Sequence, residues 1–332
     1  MKISSKQEQK TLQASDRAIR GTQPWLGGLL RGGHPKYWLL GGILMFFRLL
    51  AYFPHSVLRS LGSGLGTALA LLPSRPRAIC EANVALCFPQ LTGHEQQLFV
   101  RKCFRELGIS IAETLKVWFS DVEPLYEKHV DIEGEEHWQQ ALASGRGIIL
   151  VSCHYGSLDL NAAFAGYLAR KHRRFAFTYR KPSDDTVNGF LVATRAQYGD
   201  HFFPVNNLVG IVRTLKNRGV VWYAPDIEVK NKNTVFADFM GVPASTTVAL
   251  SRIAEASNAI VVPVAHYRKL NANKGYILKV LPMLDNFPSG NVLADTRLLN
   301  QQIEQMIEPF PERYWWVIKR FKNRQQGEAP VY

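Results

Sequence analysis

The sequence predicts an α/β fold with a mostly parallel or mixed sheet flanked by helices, joined to an amino-terminal helical part. From about residue 129 onward, short β-rich runs alternate with segments whose apolar residues recur at helical spacing, the pattern of a parallel α/β sheet. Before that point the apolar positions follow helical spacing alone. Hydrophobic residues make up 46% of the 332 residues, so the chain is able to bury a sizeable core.

The amino-terminal part is predicted to associate with a membrane. Residues 1–36 form a basic segment in which Lys and Arg outnumber Asp and Glu, and residues 37–72 are assigned as apolar anchor helices. The run 37–53 has aromatic residues at both ends, is at the short limit for a membrane span and contains Arg48. It therefore either inserts into the membrane or lies in its interface, with a buried core helix as the alternative. The second run, 57–72, is interrupted by glycines and either packs on the first or lies beside it on the membrane.

The remaining elements follow in chain order. Residues 73–128 are predicted to form a helical segment with helices over 77–88 and 94–119, and residues 129–332 an α/β core. The core strands are predicted at Val130–Glu133, 147–153, Phe175–Tyr179, His201–Pro204, 219–224, 259–265 and Tyr276–Val280. The core helices are predicted at 157–170, 184–198, 208–217, 245–257 and 293–308.

The charge balance narrows the choice of partner. The formal net charge of +13 predicts an anionic partner, which is either nucleic acid, an anionic membrane surface or an acidic protein. Zinc-finger spacing, RNP-type aromatic–glycine motifs and heptad repeats are missing from the sequence, so nucleic acid is not expected. The four cysteines stand in apolar contexts without C-x-x-C spacing, which indicates reduced core residues rather than a disulfide framework or a metal site.

The run 148–159 carries the strongest functional signal. A short apolar strand leads to His154, Ser157 resembles a helix N-cap, and Asp159 falls in the first turn of the next helix. Ligand sites of α/β sheets lie at such carboxyl edges. A carboxylate beside an imidazole fixes its tautomer, so that the other ring nitrogen is able to act as a general base. The alternative is a structural histidine near a helix start.

Two further strand ends carry polar residues. Arg180 follows the strand Phe175–Tyr179, and Asp226 follows the strand 219–224. If these strands are neighbours of the one before His154, the three side chains converge on one crevice. A base, a carboxylate and a cation suit acyl or phosphoryl transfer. The alternatives are a surface cation for Arg180 and a turn or cap carboxylate for Asp226.

Two motifs that are typical of other reactions are absent from the sequence. It contains neither a G-x-x-x-x-G-K-[S/T] phosphate loop nor a G-x-S-x-G elbow. Cys153 is next to His154 on a predicted strand, so the two side chains are expected to point to opposite faces. A histidine base without a protein nucleophile indicates direct attack by a substrate hydroxyl on an activated acyl carbonyl.

Several ordered segments resemble the late acyltransferases of lipid A biosynthesis in Gram-negative bacteria, within the broader glycerolipid-acyltransferase-like group. The resemblance extends from about residue 35 to the end of the chain. The segments that carry it are 77–89 (RAICEANVALCFP), the His-x4-Asp motif from His154 to Asp159, Tyr179-Arg180, 222–226 (WYAPD), 234–236, 241–247 and the basic, aromatic 311–324.

The resemblance implies an inner-membrane enzyme whose active site faces the cytoplasm and which needs no cofactor. Such enzymes move a fatty acyl group from acyl carrier protein to a hydroxyl of an acyl chain on a Kdo-bearing lipid A precursor. It further implies His154 as general base with Asp159 as its partner, and Arg180 and Asp226 as substrate-binding residues. The expected partners are an acidic acyl carrier protein, an anionic lipid A precursor and cytoplasmic membrane lipids.

Alternatives remain for the acceptor and for the carboxyl end. Many family members carry Glu where this chain has Asp159. Lysophosphatidic-acid acyltransferases share the His-x4-Asp motif, but their usual Gly-Thr-Arg segment is not found here. One alternative function is an acyltransferase of the same fold that acts on another glycolipid or on a lysophospholipid. The other is a catalytically silent lipid-binding protein. The segment 311–324 is expected to be either a headgroup-binding surface or a solvated basic tail.

Overall fold

A computed structural model describes residues 35–228, 233–269 and 275–332, so residues 1–34 of the predicted basic segment lie outside the described residues. The helices, in chain order, are α1 (Pro35–Ala51), α2 (His55–Leu69), α3 (Arg75–Cys87), α4 (Gly93–Phe119), α5 (Val122–His129), α6 (Glu135–Ala143), α7 (Leu158–Arg170), α8 (Asp185–Arg195), α9 (Leu208–Lys216), α10 (Ala249–Ser257) and α11 (Val292–Ile307), followed by a 3-10 turn (Pro311–Arg313). The strands are β1 (Val130–Glu133), β2 (Ile148–Val151), β3 (Phe175–Tyr179), β4 (His201–Pro204), β5 (Val220–Tyr223), β6 (Thr234–Phe239), β7 (Val242–Thr247), β8 (Ile260–Arg268) and β9 (Tyr276–Val280).

Seven strands form one mixed, mostly parallel sheet in the order β1-β9-β8-β2-β5-β3-β4. All neighbouring pairs are parallel except β8 and β9, which are antiparallel. The predicted α/β class and mixed sheet are therefore confirmed. The central strand β2 is buried on both faces, in keeping with its continuous run of branched apolar residues.

Helices cover both faces of this sheet. Alternate residues of β2 enter different cores, with Ile148 and Leu150 packing in the core of α7 and Ile149 and Val151 in the core of α9 and α10. The carboxyl ends of β2, β5, β3 and β4 share one edge of the sheet because these strands are parallel. This edge is where the predicted site residues lie.

The main departure from the predicted elements is a hairpin of β6 and β7. The predicted helix 245–257 begins only at Ala249, because the β-branched Thr246 and Thr247 pair with β6 instead. The helices α5 and α6 are not predicted from the sequence either. Both are short, so few apolar positions repeat within them.

The helices α1 and α2 pack along α4 and leave apolar side chains exposed. The helix α2 runs unbroken through its glycines, which allow close contact with α4: a Cβ atom on Gly62 would lie 2.5 Å from the carbonyl oxygen of Gly108. In the part of the chain that the structure describes, no helix combines the length and apolarity needed to span a membrane. The exposed apolar residues of this region are Trp38, Leu39, Ile43, Met45, Phe46, Leu49, Tyr52, Phe53, Val57, Leu61, Leu65, Leu69, Leu71 and Leu72.

Candidate active site

His154 lies just beyond the carboxyl end of β2, as the sequence predicts. Ser157 caps α7, its hydroxyl accepting a hydrogen bond from the backbone N–H of Leu160 at 3.2 Å. The ladder register pairs Val151 of β2 with Tyr223 of β5. His154 and Asp226 each follow their strand by the same number of residues, so the parallel register brings them together.

His154 and Asp226 form a buried pair. The Nδ1 atom of His154 is 2.7 Å from Oδ1 of Asp226, and the backbone N–H of His154 donates to Oδ2 at 2.8 Å. Burial alone would raise the pKa of the Asp226 carboxyl, but the imidazole and these hydrogen bonds hold that pKa below its ordinary value. An ionised carboxylate accepts a hydrogen bond from Nδ1–H. The proton of the neutral ring therefore stays on Nδ1, which leaves Nε2 as the basic nitrogen.

The solvent exposure of the two side chains shows how deep each of them lies in the site. The His154 side chain is 13% exposed and the Asp226 side chain is fully buried. Asp226 was expected to bind substrate, but its burial places it behind the imidazole, out of reach of a substrate. Across the described ranges, no group forms a hydrogen bond to Nε2 of His154.

The expected pairing of Asp159 with His154 is corrected by the structure. Both carboxylate oxygens of Asp159 accept from the guanidinium of Arg195, at 2.7 and 3.0 Å, and the hydroxyl of Tyr198 also donates to Asp159. No hydrogen bond or ion pair between described residues joins Asp159 to His154. Burial would raise the pKa of Asp159, but Arg195 and Tyr198 lower it. Asp159 thus ties α7 to α8, and a direct role in catalysis stays a prediction.

Arg180 follows β3 at the same edge of the sheet. Its side chain is exposed, and β5 separates β3 from β2. Among the residues with described positions, no hydrogen bond connects Arg180 to His154 or Asp226. Of the four predicted residues, the structure therefore brings two into contact, and the substrate-binding role of Arg180 stays a prediction.

The carboxyl-terminal segment also reaches the site. The backbone N–H of Trp315 donates to the carbonyl of His154 at 2.8 Å, and its indole ring lies 5.5 Å from the imidazole, edge-on at 64°. Tyr314 and Trp316 beside it are buried. The segment 311–324 is therefore not a solvated tail, while its half-buried and exposed positions leave the headgroup-binding surface as a prediction. Its aromatic density is the sequence signal that favours such burial.

Comparison with known proteins identifies the family of this chain. The sequence model of the bacterial lipid A biosynthesis acyltransferase family matches residues 30–323. The chain belongs to this family. It is 31% identical over 300 residues to the lipid A biosynthesis palmitoleoyltransferase of Escherichia coli strain K12, covering 90% of this chain and 96% of that protein. It is 30% identical over 300 residues to the lauroyltransferase of the same strain, covering 90% and 96%. With the myristoyltransferase of that strain it shares 22% over 302 residues, covering 90% and 91%.

The resemblance predicted from the motifs is thus confirmed, and the protein is an acyltransferase of lipid A biosynthesis. The relatives are named for different acyl groups, so family membership alone does not fix the acyl chain that this member transfers.

In this acyltransferase a second buried network lies beneath the site. The guanidinium of Arg268 on β8 donates to Glu113 at 2.7 and 3.0 Å and to Glu106 at 2.7 Å, both on α4. Burial would raise the pKa of Glu113, but Arg268 brings it down to about 2. Beside it, burial lowers the pKa of His266 to about 4, so this imidazole is neutral at pH 7. The partners are far apart in the chain, which hides the network from sequence analysis.

Among the described residues, neither an activated thiol nor a metal cluster lies beside His154. Cys153 is buried, and that burial, followed by the nearby Asp226 charge, raises the pKa of its thiol. Within residues 35–228, 233–269 and 275–332, no group of three or more His, Cys, Asp or Glu side chains is arranged to hold a metal ion.

Proposed function

We propose that this acyltransferase moves a fatty acyl group from acyl carrier protein to a hydroxyl of an acyl chain on a Kdo-bearing lipid A precursor, with His154 as the general base and Asp226 as its partner. The observation that carries this proposal is the 2.7 Å contact between His154 and a fully buried carboxylate. That contact holds Nδ1–H and directs Nε2 away from Asp226, which is the arrangement a general base needs.

The reaction follows from this arrangement. Nε2 of His154 takes the proton of the acceptor hydroxyl as its oxygen attacks the thioester carbonyl. The tetrahedral intermediate then collapses, the C–S bond breaks, and the imidazolium returns the proton to the leaving thiolate. Asp226 stabilises the imidazolium between these two proton transfers. The raised pKa of the buried Cys153 thiol supports direct attack without a covalent acyl-enzyme.

The charge around the site supports an acidic donor protein. Arg180 and Lys181 are exposed directly after β3. This strand ends at the same sheet edge as His154. The strand β3 lies two strand spacings from β2, roughly 10 Å at ~4.8 Å per strand. A thioester on a long prosthetic arm spans such a distance, and complementary charge speeds association.

The apolar faces of α1 and α2 support a location on the cytoplasmic face of the inner membrane. Val57, Leu61, Leu65 and Leu69 recur every fourth residue along α2 and are all exposed. Apolar side chains are exposed along α1 as well. Stripes of this kind lie in a membrane interface, where the enzyme also meets its lipid acceptor.

A mass-spectrometric assay tests the proposed reaction. Purified protein in detergent is given a tetra-acylated lipid A precursor and a mixture of acyl carrier protein thioesters of different lengths. We expect a mass gain of one acyl group that disappears in His154→Ala and persists in His94→Ala, whose side chain is exposed on α4. A mass gain only with another glycolipid or a lysophospholipid would show that this lipid, and not the lipid A precursor, is the acceptor. No gain with any donor or acceptor from folded protein would contradict acyl transfer by this site.

A further inference from the structure

We propose that Trp315 is a positioning residue, which holds the His154 imidazole and the loop that carries it. This inference rests on the proposed function of His154 as the general base. Trp315 acts through His154 and is not assigned a contact with the reacting atoms.

Three backbone groups of the loop between β2 and α7 form their hydrogen bonds with the segment 313–316. The Trp315 backbone N–H donates to the His154 carbonyl at 2.8 Å, and the Trp315 indole Nε1–H donates to the Gly156 carbonyl at 2.8 Å. In the opposite direction, the Gly156 backbone N–H donates to the Arg313 carbonyl at 2.9 Å. His154 itself and the second residue after it are therefore fixed from the same short segment.

The loop has little freedom to find another arrangement. Gly156 has a φ of +53°, a conformation that residues with a side chain rarely adopt. A Cβ atom at this position would also lie 2.9 Å from Nε2 of His266. Tyr155 forms an isolated antiparallel bridge with Tyr314, which aligns the loop and the segment side by side.

The indole ring acts on the imidazole directly. The ring centroids of Trp315 and His154 lie 5.5 Å apart at 64°, within the range of edge-to-face aromatic pairs. With Asp226 held at Nδ1 and Trp315 beside the ring, the imidazole is restrained on two sides. Its side chain keeps 13% exposure, as a base that must meet a substrate requires.

The segment itself is anchored deep in the fold. Asn83 of α3 donates to the carbonyls of Trp316 at 2.6 Å and Ile318 at 2.8 Å. Such anchoring makes the segment a rigid support for the loop, which is what precise placement of a catalytic group demands.

Two neighbouring tryptophans provide the test. Trp315→Phe keeps a ring beside His154 but removes the hydrogen bond to Gly156, and Trp315→Ala removes both. Trp316→Phe is the matched control, because it removes an indole hydrogen bond of the same length from the same segment while its ring faces Phe88. Thermal unfolding confirms that each variant is folded under assay conditions.

Two readouts distinguish positioning from a merely structural role. We expect kcat to fall about 5-fold in Trp315→Phe and on the order of 100-fold in Trp315→Ala, with KM for both substrates little changed and Trp316→Phe close to the wild type. The second readout needs no turnover: diethyl pyrocarbonate should modify His154 faster in Trp315→Ala than in the wild type or in Trp316→Phe.

Each contrary outcome overturns the proposal. An unchanged kcat in folded Trp315→Ala, equal losses in the Trp315 and Trp316 variants, or a rise in KM alone would remove the positioning role. If the wild type itself transfers no acyl group, the proposed function fails separately. The rate of His154 modification then still decides whether Trp315 restrains the imidazole.

Discussion

Replacing Asp226 by Asn should abolish most turnover through the tautomer of His154. The backbone N–H of His154 donates to Oδ2 of Asp226 at 2.8 Å, so in Asp226→Asn the amide oxygen takes that position. The amide NH2 group then faces Nδ1, which must become the acceptor. The ring proton moves to Nε2, and the imidazole is no longer able to accept a proton from the hydroxyl.

The size of the effect follows from this change in protonation. The same carboxylate-to-amide exchange in the Ser-His-Asp arrangement lowers kcat about 10⁴-fold, or ~5 kcal/mol at about 1.4 kcal/mol per tenfold. We expect a loss of about 10³- to 10⁴-fold in kcat for Asp226→Asn. KM should change little, because the Asp226 side chain is fully buried and does not reach substrate.

Asp159→Asn is the matched control for this prediction. It leaves the Arg195 guanidinium, whose side chain is 15% exposed, without its charge partner, so the main loss should be in stability, at about 3–5 kcal/mol. Steady-state kinetics and thermal unfolding are measured on both variants. The reasoning is refuted if folded Asp226→Asn keeps near-wild-type kcat. It is also refuted if Asp159→Asn loses as much kcat without a change in Tm.

Four further predictions follow from other parts of the structure. Because the pKa of His266 is about 4 in the fold and about 6.5 unfolded, the unfolded state binds the proton first, and the free energy of unfolding should fall by up to ~3 kcal/mol as pH drops from 6.5 to 4. His266→Gln should make this slope smaller in unfolding measured across that range, and the remaining slope comes in part from His55, whose pKa burial also lowers to about 4. Gly156→Ala should lower the free energy of unfolding by about 1–3 kcal/mol, since φ is +53° there, and an unchanged Tm would contradict this. Leu65→Glu should weaken flotation with anionic vesicles, while Leu98→Glu on α4, an exposed leucine outside the apolar helices, should not. Lys181→Glu should raise KM for acyl carrier protein thioesters but leave KM for the lipid acceptor unchanged, and equal changes in both would argue against donor docking at this edge of the sheet.

Local sequence patterns predicted most of the sheet and the position of its key histidine. The apolar run of β2, the cap at Ser157 and the polar strand ends are local features, and each is readable within a few residues. The hairpin of β6 and β7 escaped prediction because its threonines and small residues also fit a helix start.

The partner of His154 could not be read from chain order. Asp159 is near in sequence, yet Asp226 is the carboxylate that meets the imidazole, because β2 and β5 are adjacent in the sheet although two strands separate them in the chain. The role of Trp315 depends on how the carboxyl end folds back over the loop. Both facts belong to the topology of the sheet and the path of the chain, which one sequence does not specify through local patterns.

One time course that follows the protein and the lipid together by mass spectrometry tests the central claim most directly. The enzyme is mixed with an acyl carrier protein thioester and a lipid A precursor, and both masses are recorded through the first turnovers. Direct attack assisted by His154 and Asp226 predicts that the lipid gains one acyl group while the protein mass stays unchanged. An acyl adduct on the protein that forms and decays at the rate of turnover would contradict this mechanism.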